Sequence, residues 1–555
     1  MEFNLADLFE RVADTVGDRE ALVAGGRRLT YAQLDERSTR LAHGLARRRI
    51  RPGDHVGLYL YNGPEFIEAM LACFKLRAVP VNVNYRYVGE ELAHLFSDAD
   101  LVAVVYSREL APRIASLPRR PHTLRWLIQV DDGGDADVGG VHAVPYEDVL
   151  ASGSARRDFG PRSADDHYVL YTGGTTGLPK GVVWRQEDIL FATLGGGNPG
   201  GPPLERPEEV GERALANRSH RIAPFLPPGD PGPDEFVALA LGPLIHASGQ
   251  WTALSALLGG GKLVLYTHRS MDMSRVLELV ESERVTMLTI VGDTSGRPLV
   301  ELLEARPHAY DTSSLRLLGS GGSILTAAIK DRLLSALPTV LAISEAVGSS
   351  EAPVQATAIA TKGVPASSLS FAGRGVTIVV DDDLRPVASG SGEVGWLATR
   401  GRGPIGYHKD PARTARTFVE IDGVRWSLPG DMATVEADGT IRLLGRGSMC
   451  INTGGEKVYP EEVEAVIKAH PQVADAIVLG ADDPRWGQRV VCVVQPVPGC
   501  APSLDAVQAH CRAHLAGYKA PRALYLVDEV QRSPAGKPDY RWATAVVSEV
   551  ASSTS

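Results

Sequence analysis

Between Tyr171 and Gly181 the chain reads Tyr-Thr-Gly-Gly-Thr-Thr-Gly-Leu-Pro-Lys-Gly. Gly173, Gly174 and Gly177 let the backbone curl and approach an anion closely. Thr172, Thr175 and Thr176 add hydroxyl donors, and Lys180 adds positive charge. Successive N–H groups and hydroxyls of this kind form a cradle for a polyphosphate. The spacing is not GxxxxGK[ST], because Gly181 follows the lysine where a hydroxyl residue would stand. A short Gly/Thr-rich stretch alone fits a surface turn. So many specified positions behind an apolar Tyr168-Val169-Leu170 strand point to phosphate instead.

Other residues extend this chemistry. Ser350 and Glu351 place a hydroxyl beside a carboxylate, which suits Mg²⁺, a hard cation that takes oxygen ligands. Asp431, after Gly430, can accept from two hydroxyls. Lys537, in Ser533-Pro534-Ala535-Gly536-Lys537, suits a mobile cation that arrives for a single step. His510, Cys511 and His514 mimic a metal site at helical spacing. No carboxylate or second cysteine pair supports them, so they belong to packing or surface.

The elements that must position these groups read as α/β. Leu5, Leu8, Phe9 and Val12 recur at helical spacing. A long helix follows over residues 32–48, then a buried strand at 55–60, a helix at 65–76 and an extended run at 79–83. This alternation predicts largely parallel sheets. The apolar stretch 251–266, broken by Gly259, Gly260 and Gly261, reads as helix, turn and strand. The Gly- and Pro-rich stretch 195–207 predicts a mobile loop or lid, and residues 551–555 a frayed polar tail. A compact α+β set occupies the C-terminal end, with a boundary near Ser448.

The 555 residues exceed one hydrophobic core. A net charge of -10 argues against nucleic acid and against a membrane surface. Five cysteines at irregular spacing fit a reducing cytoplasm rather than a disulfide framework. No signal peptide and no run of ~18 apolar residues is read.

Taken together and in order, these stretches resemble the superfamily of acyl-CoA synthetases, peptide-synthetase adenylation domains and luciferases. The closer likeness is to actinobacterial fatty-acid and steroid side-chain acyl-CoA synthetases. It is carried by Leu5-Ala6-Asp7-Leu8-Phe9, Val182-Val183-Trp184-Arg185-Gln186-Glu187-Asp188, Gly445-Arg446-Gly447-Ser448, the Gly454–Pro460 stretch and the Arg532–Arg541 stretch.

The resemblance implies a large N-terminal AMP-binding domain of layered sheets and helices (1–447) and a mobile α+β C-terminal domain (448–555), with a hinge near Ser448. It makes Glu351 the Mg²⁺ carboxylate and Ser350 a contact to the α-phosphate. It sets Gly321, Gly322, Ser323, Glu345, Ala346, Val347 and Gly348 around adenine, with Glu345 accepting from the amino group. Val347 stands where an aromatic is usual. Asp431 and Arg446 fall on the ribose or phosphate, and Lys537 on the carboxylate and α-phosphate. His246 and Gly249 fall at the substrate pocket, and Gly454 and Gly455 line the coenzyme A tunnel.

The implied function is ATP-dependent formation of an acyl adenylate, then transfer to coenzyme A. The same chemistry with nitrite and an aryl amine, or with a carrier protein, stays open, as does a non-catalytic nucleotide sensor. A small-molecule acid is the implied partner, and a homodimer is compatible with it.

Overall fold

The computed structural model describes residues 1–134, 141–174, 177–216, 220–367, 369–453, 456–483, 487–515, 517–533 and 536–553. Thr175, Thr176, Gly454 and Gly455 of the expected site lie outside them.

The chain opens with helix Leu5–Val16, capped by Asn4, whose side chain accepts from Ala6 N. Leu5, Leu8, Phe9 and Val12 are buried, as their spacing predicts. Helix Tyr31–Arg47 starts on a reciprocal capping box. Gln33 N donates to Thr30 Oγ1 at 3.2 Å, and Thr30 N donates to Gln33 Oε1 at 2.9 Å. Helix Pro64–Leu76 is buried on almost every side. Even its Lys75 side chain is 0% exposed, and Nζ donates to Glu10 and Asp35 at 2.7 Å each. Arg157 pairs with Asp14 and Asp35, and Arg162 with Asp7 and Glu10, which widens the network.

An eight-stranded sheet runs Gly406–Tyr407, Gly177–Arg185, His167–Gly174, Val79–Asn82, His55–Tyr59, Ala103–Ser107, Trp126–Val130, Val144–Pro145. The strands from Val79–Asn82 onward pair in parallel, and His167–Gly174 with Gly177–Arg185 is an antiparallel hairpin. A fifteen-stranded sheet carries the parallel strands Val237–Ala240, Met287–Ile290, Leu317–Gly321 and Ala342–Val347. Beyond Val347 it turns antiparallel. The expectation of largely parallel sheets therefore holds only up to that strand. The later strands are joined by short links, which antiparallel pairing tolerates and parallel crossovers do not. Helix Ala247–Leu258 and strand Lys262–Leu265 match the reading of 251–266.

A five-stranded sheet of Glu456–Val458, Ile451–Thr453, Gly487–Pro496, Val473–Asp483 and Ala523–Leu526 forms the small C-terminal domain. Helices Pro460–Lys468, Leu504–His514 and Tyr540–Ser553 flank it. Cys511 lies in its core, and a ring nitrogen of His510 sits 3.1 Å from Val466 O, so the false metal trio serves packing.

Two expectations fail. The 195–207 stretch is a packed turn and no free lid: Leu204 enters the main core, its N–H donates to Gly196 O at 3.0 Å, and Asn198 Nδ2 donates to Pro202 O at 2.8 Å. The helix Tyr540–Ser553 also runs through most of the supposed frayed tail.

Candidate active site

The phosphate stretch is the end of a β-hairpin more than a loop. Thr172 pairs with Lys180 and Gly174 with Gly177, so the ladder carries Gly173 and its neighbours to the tip. Lys180 Nζ lies 3.0 Å from Glu351 Oε1. The Tyr407 hydroxyl donates to the same Oε1 at 2.6 Å and accepts from Lys180 Nζ at 3.0 Å. The amine also sits 4.4 Å from the centroid of the Tyr407 ring.

Glu351 is 5% exposed. Burial works against its charge, but Lys180, the Tyr407 hydroxyl and Arg446 outweigh it and hold the carboxyl down at about 2. An ionised Glu351 carboxylate, next in the chain to the Ser350 hydroxyl, is a donor set that fits a hard divalent cation. Trp184, buried on the hairpin, donates from Nε1 to Ser350 O at 3.0 Å and ties the two segments together.

Asp431 and Arg446 face each other across neighbouring strands. Arg446 Nε is 2.9 Å from Asp431 Oδ1, and its guanidinium also donates to Pro429 O at 3.2 Å. Burial raises the Asp431 carboxyl while Arg446 opposes it; Asp431 in turn raises Arg446.

The small domain brings Lys537 to this pair. Lys537 keeps an exposed flank, yet surrounding protein desolvates its amine and lowers its pKa. Arg446 and Lys180 push in the same direction, and Glu351 and Asp431 oppose them, so all five charges share one field. Gly536 seats the loop. Its φ is +70°, and a Cβ there would come 2.5 Å from Val291 Cγ1 and 3.4 Å from Ser323 Cβ. Arg532, 6% exposed at its side chain, braces the loop through Asp475 at 2.6 Å and Gly536 O at 3.0 Å.

The expected adenine segment lies alongside. Gly321 pairs with Ala346 across parallel strands, Gly322 and Ser323 form the turn behind, and Val347 pairs with Ala356. Gly348 packs closely under Pro353. The Glu345 side chain is buried and paired with Lys330. Burial dominates there and lifts the carboxyl to about 7 against the pull of Lys330.

His246 stands at the N-cap of helix Ala247–Leu258, with Nε2 buried and without a partner among the described residues. Burial first, then Lys537 and Arg86, push it down to about 3, so the ring is neutral. Gly249 faces the backbone of Gly242 and Pro243, where a Cβ would come 2.5 Å from Pro243 O. A 740 Å³ cleft between the domains adjoins the lysine loop and is lined by Arg86, Arg269, Asp293, Arg297, Asp475 and Arg532.

Sequence reasoning missed Tyr407, Trp184 and Lys330. Tyr407 and Trp184 act on residues far away in the chain and Lys330 on the next strand, and nothing in their own local spacing marks these contacts. The described backbone at Ser448 is a short 3₁₀ turn, Gly447–Met449.

Residues 9–406 match the family model of the AMP-binding enzymes, and residues 462–537 match that of the AMP-binding enzyme C-terminal domain. A medium/long-chain-fatty-acid–CoA/3-oxocholest-4-en-26-oate–CoA ligase of Mycolicibacterium smegmatis is 44% identical over 99% of this chain and 97% of its own length. A 3-oxocholest-4-en-26-oate–CoA ligase of Rhodococcus rhodochrous is 43% identical over 98% of this chain and 96% of its own. Among solved structures, the anthranilate CoA ligase AuaEII in complex with anthranoyl-AMP aligns with a TM-score of 0.81 at 22% identity, over 98% of this chain and 97% of that one. With both family models matched in order and relatives of this identity along its whole length, the chain belongs to the AMP-binding enzymes, the adenylate-forming superfamily that includes the acyl-CoA synthetases.

Proposed function

We propose that the protein is an AMP-forming acid–thiol ligase that activates an apolar carboxylic acid with ATP and passes it to coenzyme A. One observation carries the reading: the Lys180–Glu351 pair at 3.0 Å and the Arg446–Asp431 pair at 2.9 Å in the large domain share one field with Lys537 of the small one.

A carboxylate is a poor electrophile. Attack of its oxygen on the α-phosphorus of ATP makes a mixed anhydride and releases pyrophosphate. Charge builds on the phosphoryl oxygens, so preplaced positive charge does most of the work. In this reading the hairpin tip and Lys180 hold the β- and γ-phosphates. Ser350 and Lys537 meet the α-phosphate, and Lys537 also meets the acid. Asp431 and Arg446 take the ribose. Gly321, Gly322, Ser323 and the 345–348 strand end flank adenine. Glu351 would hold Mg²⁺, which when bound adds charge at the polyphosphate. His246, neutral and buried, marks the mouth of the acid pocket, with Gly249 behind it.

For the second step the small domain rotates about a hinge near Ser448 and withdraws Lys537. Gly454 and Gly455 would then face the pantetheine arm. The cationic side chains of the interdomain cleft suit the phosphates of coenzyme A. Fatty acids and 3-oxocholest-4-en-26-oate, the acids in the relatives' names, support fatty and steroid acids as the first candidates.

The test is pyrophosphate release over a panel of fatty acids, a C26 steroid acid, benzoates, and nitrite with an aryl amine. Turnover with the first two classes and coenzyme A is expected. Turnover with nitrite alone would overturn the choice of acid, and release with none would favour a nucleotide sensor. Lys537→Ala should lower adenylation by about 10²–10³-fold, as loss of a charge at the developing oxyanion does. The same variant should still convert a supplied acyl adenylate; undiminished adenylation would sink the assignment.

A further inference from the structure

Tyr407 is placed with unusual care for a tyrosine outside every motif. The short strand Gly406–Tyr407 pairs with Val182 and Val183 of the phosphate hairpin, so Tyr407 and Lys180 share one rigid frame. Tyr407 N donates to Thr414 Oγ1 at 2.9 Å. The ring packs on Phe418 with centroids 5.8 Å apart, and the Arg413 guanidinium lies 5.7 Å from it on the cation–π scale. The ring is thus held by its neighbours, and its hydroxyl faces Glu351, Lys180 and Thr417. It carries one proton, given to Glu351 Oε1, and offers its lone pairs to Lys180 Nζ.

That geometry creates an exchange problem. On the reading above, Lys180 must leave Glu351 for the polyphosphate. A buried carboxylate stripped of its ion-pair partner is strongly disfavoured. The 2.6 Å bond from Tyr407 is charge-assisted and needs no movement to persist. We propose that Tyr407 is a positioning residue that keeps Glu351 partnered while Lys180 transfers to the nucleotide, and so eases ATP binding without touching the nucleotide itself. The inference rests on the adenylate-forming reading and deepens it.

A double-mutant cycle on equilibrium binding separates this role from plain packing. The probe is the non-cleavable α,β-methylene analogue of ATP, titrated by calorimetry with no acid present, once in Mg²⁺ and once in EDTA. Tyr407→Phe keeps the ring and removes only the hydroxyl. It should weaken binding about tenfold in EDTA, the size of one charge-assisted hydrogen bond. The loss should be smaller in Mg²⁺, because the cation is a substitute partner for Glu351. In a Lys180→Met background Glu351 has no amine to lose, so Tyr407→Phe should then change affinity by less than about twofold. Melting temperatures of all four proteins report that each is folded, and Tyr407→Trp supplies a second hydroxyl-free variant if Phe is unstable. Equal losses in both backgrounds, or no loss in the parent background, overturn the proposal and leave the ATP reading standing. A parent protein that binds no nucleotide sinks the ATP reading, and this one with it.

Discussion

Glu461 shows how one side chain can tie stability to pH. It sits in the first turn of helix Pro460–Lys468 and packs over Gly445, whose φ is +118° and whose Cβ, if present, would lie 2.0 Å from the Glu461 carboxylate. Glu461 Oε1 accepts from Arg446 N at 3.4 Å, and Oε2 is buried without a partner among the described residues. Burial, then the charges of Glu464 and Asp431, raise this carboxyl to about 8. The folded protein therefore keeps a proton that an unfolded glutamate, near 4.5, gives up. Stability from this group falls as pH rises from about 4.5 to about 8. Glu461→Gln keeps the shape and removes the titration. It should be more stable than the parent by about 1–2 kcal/mol at pH 8 and equal to it near pH 5, read from thermal melts. Parallel pH profiles for the two proteins would show the idea wrong.

At the scale of elements, the hairpin His167–Arg185 does the most positioning. Trp184 Nε1, donating to Ser350 O, ties its base to the Glu351 segment. Trp184→Phe keeps most of the buried ring and orphans that carbonyl. A loss of about 1–2 kcal/mol in stability is expected, together with a several-fold fall in adenylation rate. A rate equal to the parent's would mean the tie is only structural.

Much of the outline was legible. Local periodicity gave the opening helix, because burial on one face repeats along an element, and a short apolar run gave the strand at 55–60. Lys180, Glu351, Asp431 and Lys537 stood out by residue type and Arg446 through the resemblance, and the fold brings them into one field. Tyr407 and Lys330 did not, since a partner 56 residues away, or a helix residue reaching over to the next strand, leaves no local trace. The 195–207 turn was misread for a related reason. Gly and Pro announce a turn, but Leu204 docking into the core is a tertiary fact. The tail was judged by its polarity, although a helix already under way continues through polar residues.

The whole molecule is secured at its start. Lys75, Glu10 and Asp35 join three helices, and Arg157 and Arg162 bind the segment before the phosphate hairpin to them. Lys75→Met leaves two buried carboxylates short of a partner and should cost about 3 kcal/mol in a denaturant melt. Adding Glu10→Gln and Asp35→Asn should recover part of it; a neutral Lys75→Met would mean the arginines suffice. No described helix is long and apolar enough to cross a membrane. The seat at Gly536 has a further consequence. It accepts the lysine loop so closely that a methyl group added at Gly536 would meet Val291 Cγ1 at 2.5 Å. If the loop must quit that berth before the thiol arrives, the two half-reactions become successive tenants of one address. Throughput is then governed by turnover of the tenancy, and the chemistry in each stay can be fast without making the cycle so.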